Sequence, residues 1–144
     1  MDTLKDSYPI IGNDFDHAGE AAIKVRHILQ SLDIDPGIIR RVAICSYEAE
    51  MNAVMHGGGG DLSYEINSDS IILEVSDSGE GIENIDSAMV EGFSTAKDEH
   101  REIGFGAGMG LPNIKKNADD MTLTSRKGEG TLVRLVFSRS KSDT

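Results

Sequence analysis

Apolar side chains recur every three or four positions between Asp16 and Leu32, where Ala21, Ala22, Val25, Ile28, Leu29 and Leu32 fall on one side of a helix. A second helical stretch begins at Pro36, a residue suited to a first turn, and runs to about His56, where Gly57 takes the usual glycine position past a C-terminus. Val42, Cys45, Ala49 and Ala53 form its buried stripe. Other segments alternate with the period of a strand: Tyr8 to Ile11, Leu62 to Ile66, Ile71 to Asp77, Met121 to Ser125 and Thr131 to Phe137. Leu111 to Ala118 reads as a third helix with Pro112 in its first turn. Between Ser78 and Gly110 neither period holds, beyond a helical turn around Ser87 to Glu91. A loop of about thirty residues inside a compact domain is functional or mobile.

Strands that follow one another through short turns pair antiparallel, which gathers the helices on one face. The expected class is α+β, a two-layer α/β sandwich over a mixed, mostly antiparallel sheet. Strict strand–helix alternation is missing, which disfavours a doubly wound parallel sheet. The 144 residues suffice for one domain spanning 1–144, with a core from about 8 to 137 and a tail, 138–144, of low order.

Charge narrows the function. Asp and Glu number 25 against 14 Lys and Arg, a net charge of −11, and no basic run appears, so nucleic acid and anionic membrane are poor partners. The single cysteine, Cys45, forms no internal disulfide and no thiolate zinc site by itself. No apolar run reaches the roughly 18 residues of a spanning helix, and no signal-peptide pattern precedes Tyr8, so a cytoplasmic location is expected.

Twelve of the 16 glycines are bunched, at Gly57 to Gly60, Gly79 and Gly81, Gly104 to Gly110, and Gly128 and Gly130. Four constellations accompany them. Glu48, Asn52 and His56 are spaced by four on the second helix, a polar row beside the buried stripe. That row suits a general base next to a metal or phosphate ligand, and equally a plain polar boundary with His56 at the negative helix end. Asp77-Ser78-Gly79-Glu80-Gly81 ends an apolar strand, where the aspartate suits a buried amino group such as the exocyclic amine of adenine, or a tight turn. Gly104 to Gly110 runs directly into a helix, so backbone N–H groups and the helix dipole together suit a phosphate. Gly128-Glu129-Gly130-Thr131 precedes the last strand as a turn.

In this order the four constellations resemble the GHKL ATP-binding superfamily of gyrase, Hsp90, histidine kinases and MutL. At this length, with no dimerisation-helix segment attached, the chain looks like the stand-alone bacterial serine kinases of the anti-sigma and switch-kinase type, the RsbW/RsbT-like family. The resemblance covers about residues 8 to 137 and implies the Bergerat fold with ATP and Mg²⁺ as cofactors. By resemblance, Glu48 is the general base, Asn52 the magnesium ligand and His56 the histidine near the phosphates. Asp77 is the adenine-reading aspartate, Gly79 and Gly81 its close-packed backbone, and Thr131 the adenine-side threonine. Gly106, Gly108, Met109 and Gly110 form the phosphate-facing loop, and Phe93 to Gly104 a mobile lid. One position departs: the anti-sigma branch places an arginine directly before its Gly-Met-Gly loop, whereas here Gly106-Ala107 precedes Gly108 and Arg101 lies further upstream. The departure tilts the resemblance toward the switch-kinase side.

The function so implied is a protein serine/threonine kinase whose substrate is a small STAS-type antagonist protein, with a sigma factor or a phosphatase as further partners. Two alternatives stand beside it: an anti-sigma factor that acts by sequestration, and a nucleotide sensor without transfer. Glu48 argues against the sensor, which needs no base there. An unpaired apolar helix face would support a homodimer.

Overall fold

A computed structural model describes residues 3–12, 14–56, 59–77, 110–126 and 130–139. The elements run β1 (Leu4–Ile10), α1 (Glu20–Gln30), α2 (Pro36–His56), β2 (Gly60–Ile66), β3 (Ser70–Asp77), α3 (Gly110–Asn117), β4 (Asp120–Arg126) and β5 (Gly130–Ser138). The strands form one sheet in the order β1-β2-β3-β5-β4, and every pairing among them is antiparallel. The expected α+β sandwich is therefore present, with no parallel pair among the described strands.

Alternation decides which face the helices cover. Leu62, Tyr64 and Ile66 on β2, Ile71, Leu73 and Val75 on β3, and Val133, Leu135 and Phe137 on β5 are buried in one core with the apolar stripes of the helices. The intervening residues lie on the open face, where Lys5 pairs with Glu65 at 3.0 Å and Arg134 with Glu74 at 3.4 Å. Helix α2 is central to the helical layer: it packs against the sheet, chiefly β3, and is flanked by α1 and α3. Val42, Cys45, Ala49 and Ala53 are its buried stripe, as the wheel requires. Among the described residues no helix is long and apolar enough to cross a membrane.

Two elements begin four residues from where the pattern predicts. β1 starts at Leu4 rather than Tyr8, because Leu4 to Tyr8 complete a seven-residue ladder with Leu62 to Ile66 and the rest of β2. Its side chains are almost all exposed, so hydrophobic alternation is weak there, and Lys5, Asp6 and Pro9 suit an edge strand. α1 starts at Glu20 rather than Asp16, after Gly19 at φ 98. What fixes that start is a carboxylate from another helix. Glu50, on α2 and 3% exposed, accepts hydrogen bonds from the backbone N–H of Gly19 at 2.8 Å, Ala22 at 2.9 Å and Ala21 at 3.4 Å. The first N–H groups of a helix have no partner within it, and Glu50 supplies one where Gly19 has no side chain to do so.

Glu50→Ala would leave those donors buried without an acceptor. It is expected to lower the unfolding free energy by about 3 kcal/mol, the cost of losing charge-assisted bonds to a buried group. Urea unfolding checks this; a loss below about 1 kcal/mol would mean that the remaining structure satisfies the α1 terminus without Glu50.

Candidate functional site

One register row crosses the whole sheet at one end, Ile10–Gly60–Asp77–Thr131–Ser125. Asp77 and Thr131 are direct cross-strand partners, so their side chains stand on the same face. That face is the helix-covered one, since Val75 and Val133, two residues along each strand, are both in the core. Both Asp77 and Thr131 are half-buried, at the rim of the core. On the other side of Asp77 stands Gly60, and a Cβ built on it would collide with the Ser76 carbonyl oxygen. Neighbouring Gly59 holds φ +76 and passes against the backbone of Ile10 and Gly12. Part of the glycine run thus serves close backbone packing where α2 returns into the sheet.

The short return from α2 to β2 brings the last turns of α2 to this end of the sheet. Asn52 is half-buried one turn after Glu48, and His56 ends the helix. α3 approaches from the other side. Arg41 donates to the Asn117 carbonyl oxygen at 3.0 Å and to the Asp119 carboxylate at 3.1 Å, pinning the C-terminal end of α3. Burial alone would raise the Asp119 carboxyl, but Arg41 and the Ser138 N–H, 2.6 Å away, outweigh it and hold it below the usual range. Halfway along, the Cys45 thiol donates to the Ile114 carbonyl oxygen at 3.5 Å, and burial pushes that thiol up to about 12. Burial pushes the Glu48 carboxyl above its ordinary value, and the hydrogen bond from the Asn113 side chain takes back part of the rise.

The sheet row holds Asp77 and Thr131, and the C-terminal half of α2, which returns to that end of the sheet, holds Glu48 and Asn52. Gly110 opens α3. Gly79, Gly81, Gly106, Gly108 and Met109 lie outside the described residues, as do the lid segment, the turn at Ser87 to Glu91, the tail from 140 and the side chain of His56. Three residues were missed in the sequence: Glu50, Arg41 and Asn113. Glu50 lies on the flank of the buried stripe opposite to Glu48, because two residues on a helix differ by about 200°. A wheel could have flagged it as a carboxylate inside the buried arc. Arg41 and Asn113 carry no comparable signal, since their partners are about seventy residues away in the chain.

The donor set fits a magnesium nucleotide. Asn52 offers a hard oxygen donor, Asp77 an acceptor for an amino group, and the start of α3 the positive end of a helix dipole. Holding Glu48 above its ordinary value has a stability consequence. The folded chain binds that proton more tightly than the unfolded chain, so stability is lost as pH rises from the unfolded value of about 4.3 through the raised folded one. Glu48→Gln is expected to melt at a higher temperature than the wild type at pH 7.5, with the gap closing below about pH 4. Thermal melts at both pH values check this; a variant less stable at pH 7.5 contradicts it.

Comparison with known proteins agrees with this fold. Residues 37–141 match the family model of histidine kinase-, DNA gyrase B-, and HSP90-like ATPases. The anti-sigma F factor of Thermoanaerobacter sp. (strain X514) is 35% identical over 110 residues, 72% of this chain and 73% of that one. The serine/threonine-protein kinase RsbT of Bacillus subtilis (strain 168) is 32% identical over 102 residues, 67% of this chain and 69% of RsbT. Among solved structures, the RsbU and RsbW domains of Rv1364c from Mycobacterium tuberculosis superpose with a TM-score of 0.63 at 16% identity; all of this chain is covered, and it spans 35% of that longer chain. The mycobacterial sensor histidine kinase MprB superposes with a TM-score of 0.54 at 14% identity, over 96% of this chain and 100% of that one. Those two likenesses speak for the fold, and the family match together with the two relatives for kinship. The chain belongs to the histidine kinase-, DNA gyrase B- and HSP90-like ATPases, on the branch that holds the anti-sigma F factors and RsbT.

Proposed function

We propose that this protein is an ATP-dependent protein serine/threonine kinase that phosphorylates a small STAS-type antagonist protein in a bacterial partner-switching pathway. The observation that carries the reading is Glu48: a half-buried carboxylate with raised proton affinity, one helical turn from Asn52 and beside the first turn of α3. A base of raised proton affinity is what abstraction of a hydroxyl proton near neutral pH calls for. The kinship with RsbT and with anti-sigma F factors supports the same reading.

In the transfer, the substrate hydroxyl gives its proton to a Glu48 carboxylate oxygen as its own oxygen forms the new bond to the γ-phosphorus. The bond from that phosphorus to the bridging oxygen breaks, and ADP leaves with the electron pair. Positioning and charge neutralisation carry most of such a reaction, so one base suffices. Asn52 is the residue that would hold Mg²⁺, which supplies charge neutralisation on the phosphates when bound. Asp77 would accept the adenine amino group, with Thr131 across the strand boundary completing that side. Gly79, Gly81, Gly106, Gly108, Met109, Gly110 and His56 keep the roles given by resemblance. The anti-sigma F factor names favour a second reading, capture of a sigma factor with phosphorylation as the release step. Co-purification of a sigma factor with the nucleotide-loaded protein, in the absence of transfer to any STAS-domain protein, would favour it.

Glu48→Gln is expected to leave Mg·ADP affinity near the wild-type value while single-turnover transfer falls about 10²-fold or more. Asn52→Ala is expected to weaken both nucleotide binding and transfer. Calorimetric titration and a γ-phosphoryl transfer assay separate the two, and full transfer by Glu48→Gln would reject the kinase reading. Asp77→Asn is expected to cost adenine nucleotides more affinity than guanine nucleotides, because it alters the group that meets the exocyclic amine. Equal losses would remove Asp77 from base recognition.

A further inference from the structure

Helix α2 holds each of its neighbours by one end, and in each case with the charge that the end calls for. Glu50 meets the first N–H groups of α1, the positive end of that helix. Arg41 meets the last turn of α3, the negative end, where it donates to the Asn117 carbonyl oxygen at 3.0 Å. α3 needs such a hold. Its 8 residues are too few for a helix to persist in water by its own hydrogen bonds. Leu111 and Ile114 are its buried side chains, and among the described elements it packs chiefly on α2 rather than on the sheet.

The same guanidinium reaches further. It donates to one oxygen of the Asp119 carboxylate at 3.1 Å, and the other oxygen of that carboxylate accepts from the Ser138 N–H at 2.6 Å. It also lies over the Phe137 ring, 6.0 Å from the centroid. The middle of α2, the junction of α3 with β4 and the end of β5 are thereby tied at one point. A planar arginine fork lets one side chain span a carbonyl oxygen and a carboxylate together, whereas a lysine ammonium is a single point on a flexible stem. Arg41 itself is remote from the nucleotide. It precedes Asn52 by eleven residues, about 16 Å along the helix axis.

We propose that Arg41 is a positioning residue for the phosphate end of the nucleotide site: by gripping the C-terminal end of α3 it sets where the other end of that helix, at Gly110, points. The inference rests on reading the chain as a nucleotide-binding kinase in which the start of α3 meets the phosphates. A helix of two turns is stiff, so a grip at one end fixes the direction of the other. The adenine side, Asp77 and Thr131, is carried by the pairing of β3 with β5 instead. Arg41 therefore governs affinity for the phosphates and leaves affinity for the base alone, although it touches neither.

The test uses the full chain as wild type, Arg41→Ala, Arg41→Lys and Asp119→Asn, at a temperature where thermal melts show each variant folded. Mg·ADP is titrated by calorimetry and adenosine by NMR, which compares a ligand that carries phosphates with one that does not. In Arg41→Ala, affinity for Mg·ADP is expected to fall about tenfold while affinity for adenosine stays within about twofold of the wild type. Arg41→Lys is expected to recover only part of the loss, because it keeps the charge without the fork. Asp119→Asn is expected to lose less than Arg41→Ala, since the bond to the Asn117 carbonyl oxygen remains. If Arg41→Ala does not fold, the same comparison is read from the other two variants. Equal losses of Mg·ADP and adenosine would show a general structural role, and full recovery in Arg41→Lys an effect of charge alone; either overturns the role of Arg41 and leaves the kinase reading intact. A wild type that binds neither ligand overturns the nucleotide reading, and the role of Arg41 with it.

Discussion

A carboxylate taken out of water has to be met by donors, and in this fold the donors that meet Glu50 are the first N–H groups of another helix. The demand runs both ways, since a helix start facing the core has no partners of its own. One side chain resolves both deficits, and in doing so it fixes where α1 begins and how α1 and α2 lie together. The rest of the helical layer follows from α2, which bears on the sheet with its apolar stripe and on α3 with Arg41, Cys45 and Glu48.

The two glutamates of α2 meet burial in opposite ways. Glu50 is fully buried and answered by three N–H groups, so its charge is an asset to the fold. Glu48 is half-buried, and burial works against its charged form. A group left with part of its desolvation unanswered retains affinity for a proton, and such groups gather where proton transfer is done. Their separation by about 200° around the helix axis keeps the two environments apart although the residues are neighbours in the chain.

The element order, the antiparallel sheet and the α2 stripe were legible because period and position agreed in each: Val42, Cys45, Ala49 and Ala53 are apolar where the wheel needs them. The strands β2, β3 and β5 alternate cleanly for the same reason, with one face in the core and one in solvent. β1 was read short because an edge strand owes its residues to pairing rather than to burial. The start of α1 differs from the periodic expectation because its determinant, Glu50, sits about thirty residues downstream, and no local pattern near Gly19 announces it. Within the site, the spacing of Glu48 and Asn52 and the strand-end position of Asp77 could be read, because each is local. The bond from Arg41 to the Asn117 carbonyl oxygen could not, because nothing in either segment names the other. What brings them together is the docking of α3, a tertiary event.

The row Gly60–Asp77–Thr131 also bears on how the chain reaches its native state. Side chains on a strand alternate between faces, so a slip of one residue between β3 and β5 would turn Val75 and Val133 out of the core and also part Asp77 from Thr131. The hydrophobic pattern and the Asp77–Thr131 pair are therefore written in the same register, and neither can be right while the other is wrong. A nucleotide that engages this pair would bind the correctly zipped sheet and none of its misaligned competitors. It would act on the folding chain as a proofreader, drawing population toward the one alignment that it can recognise.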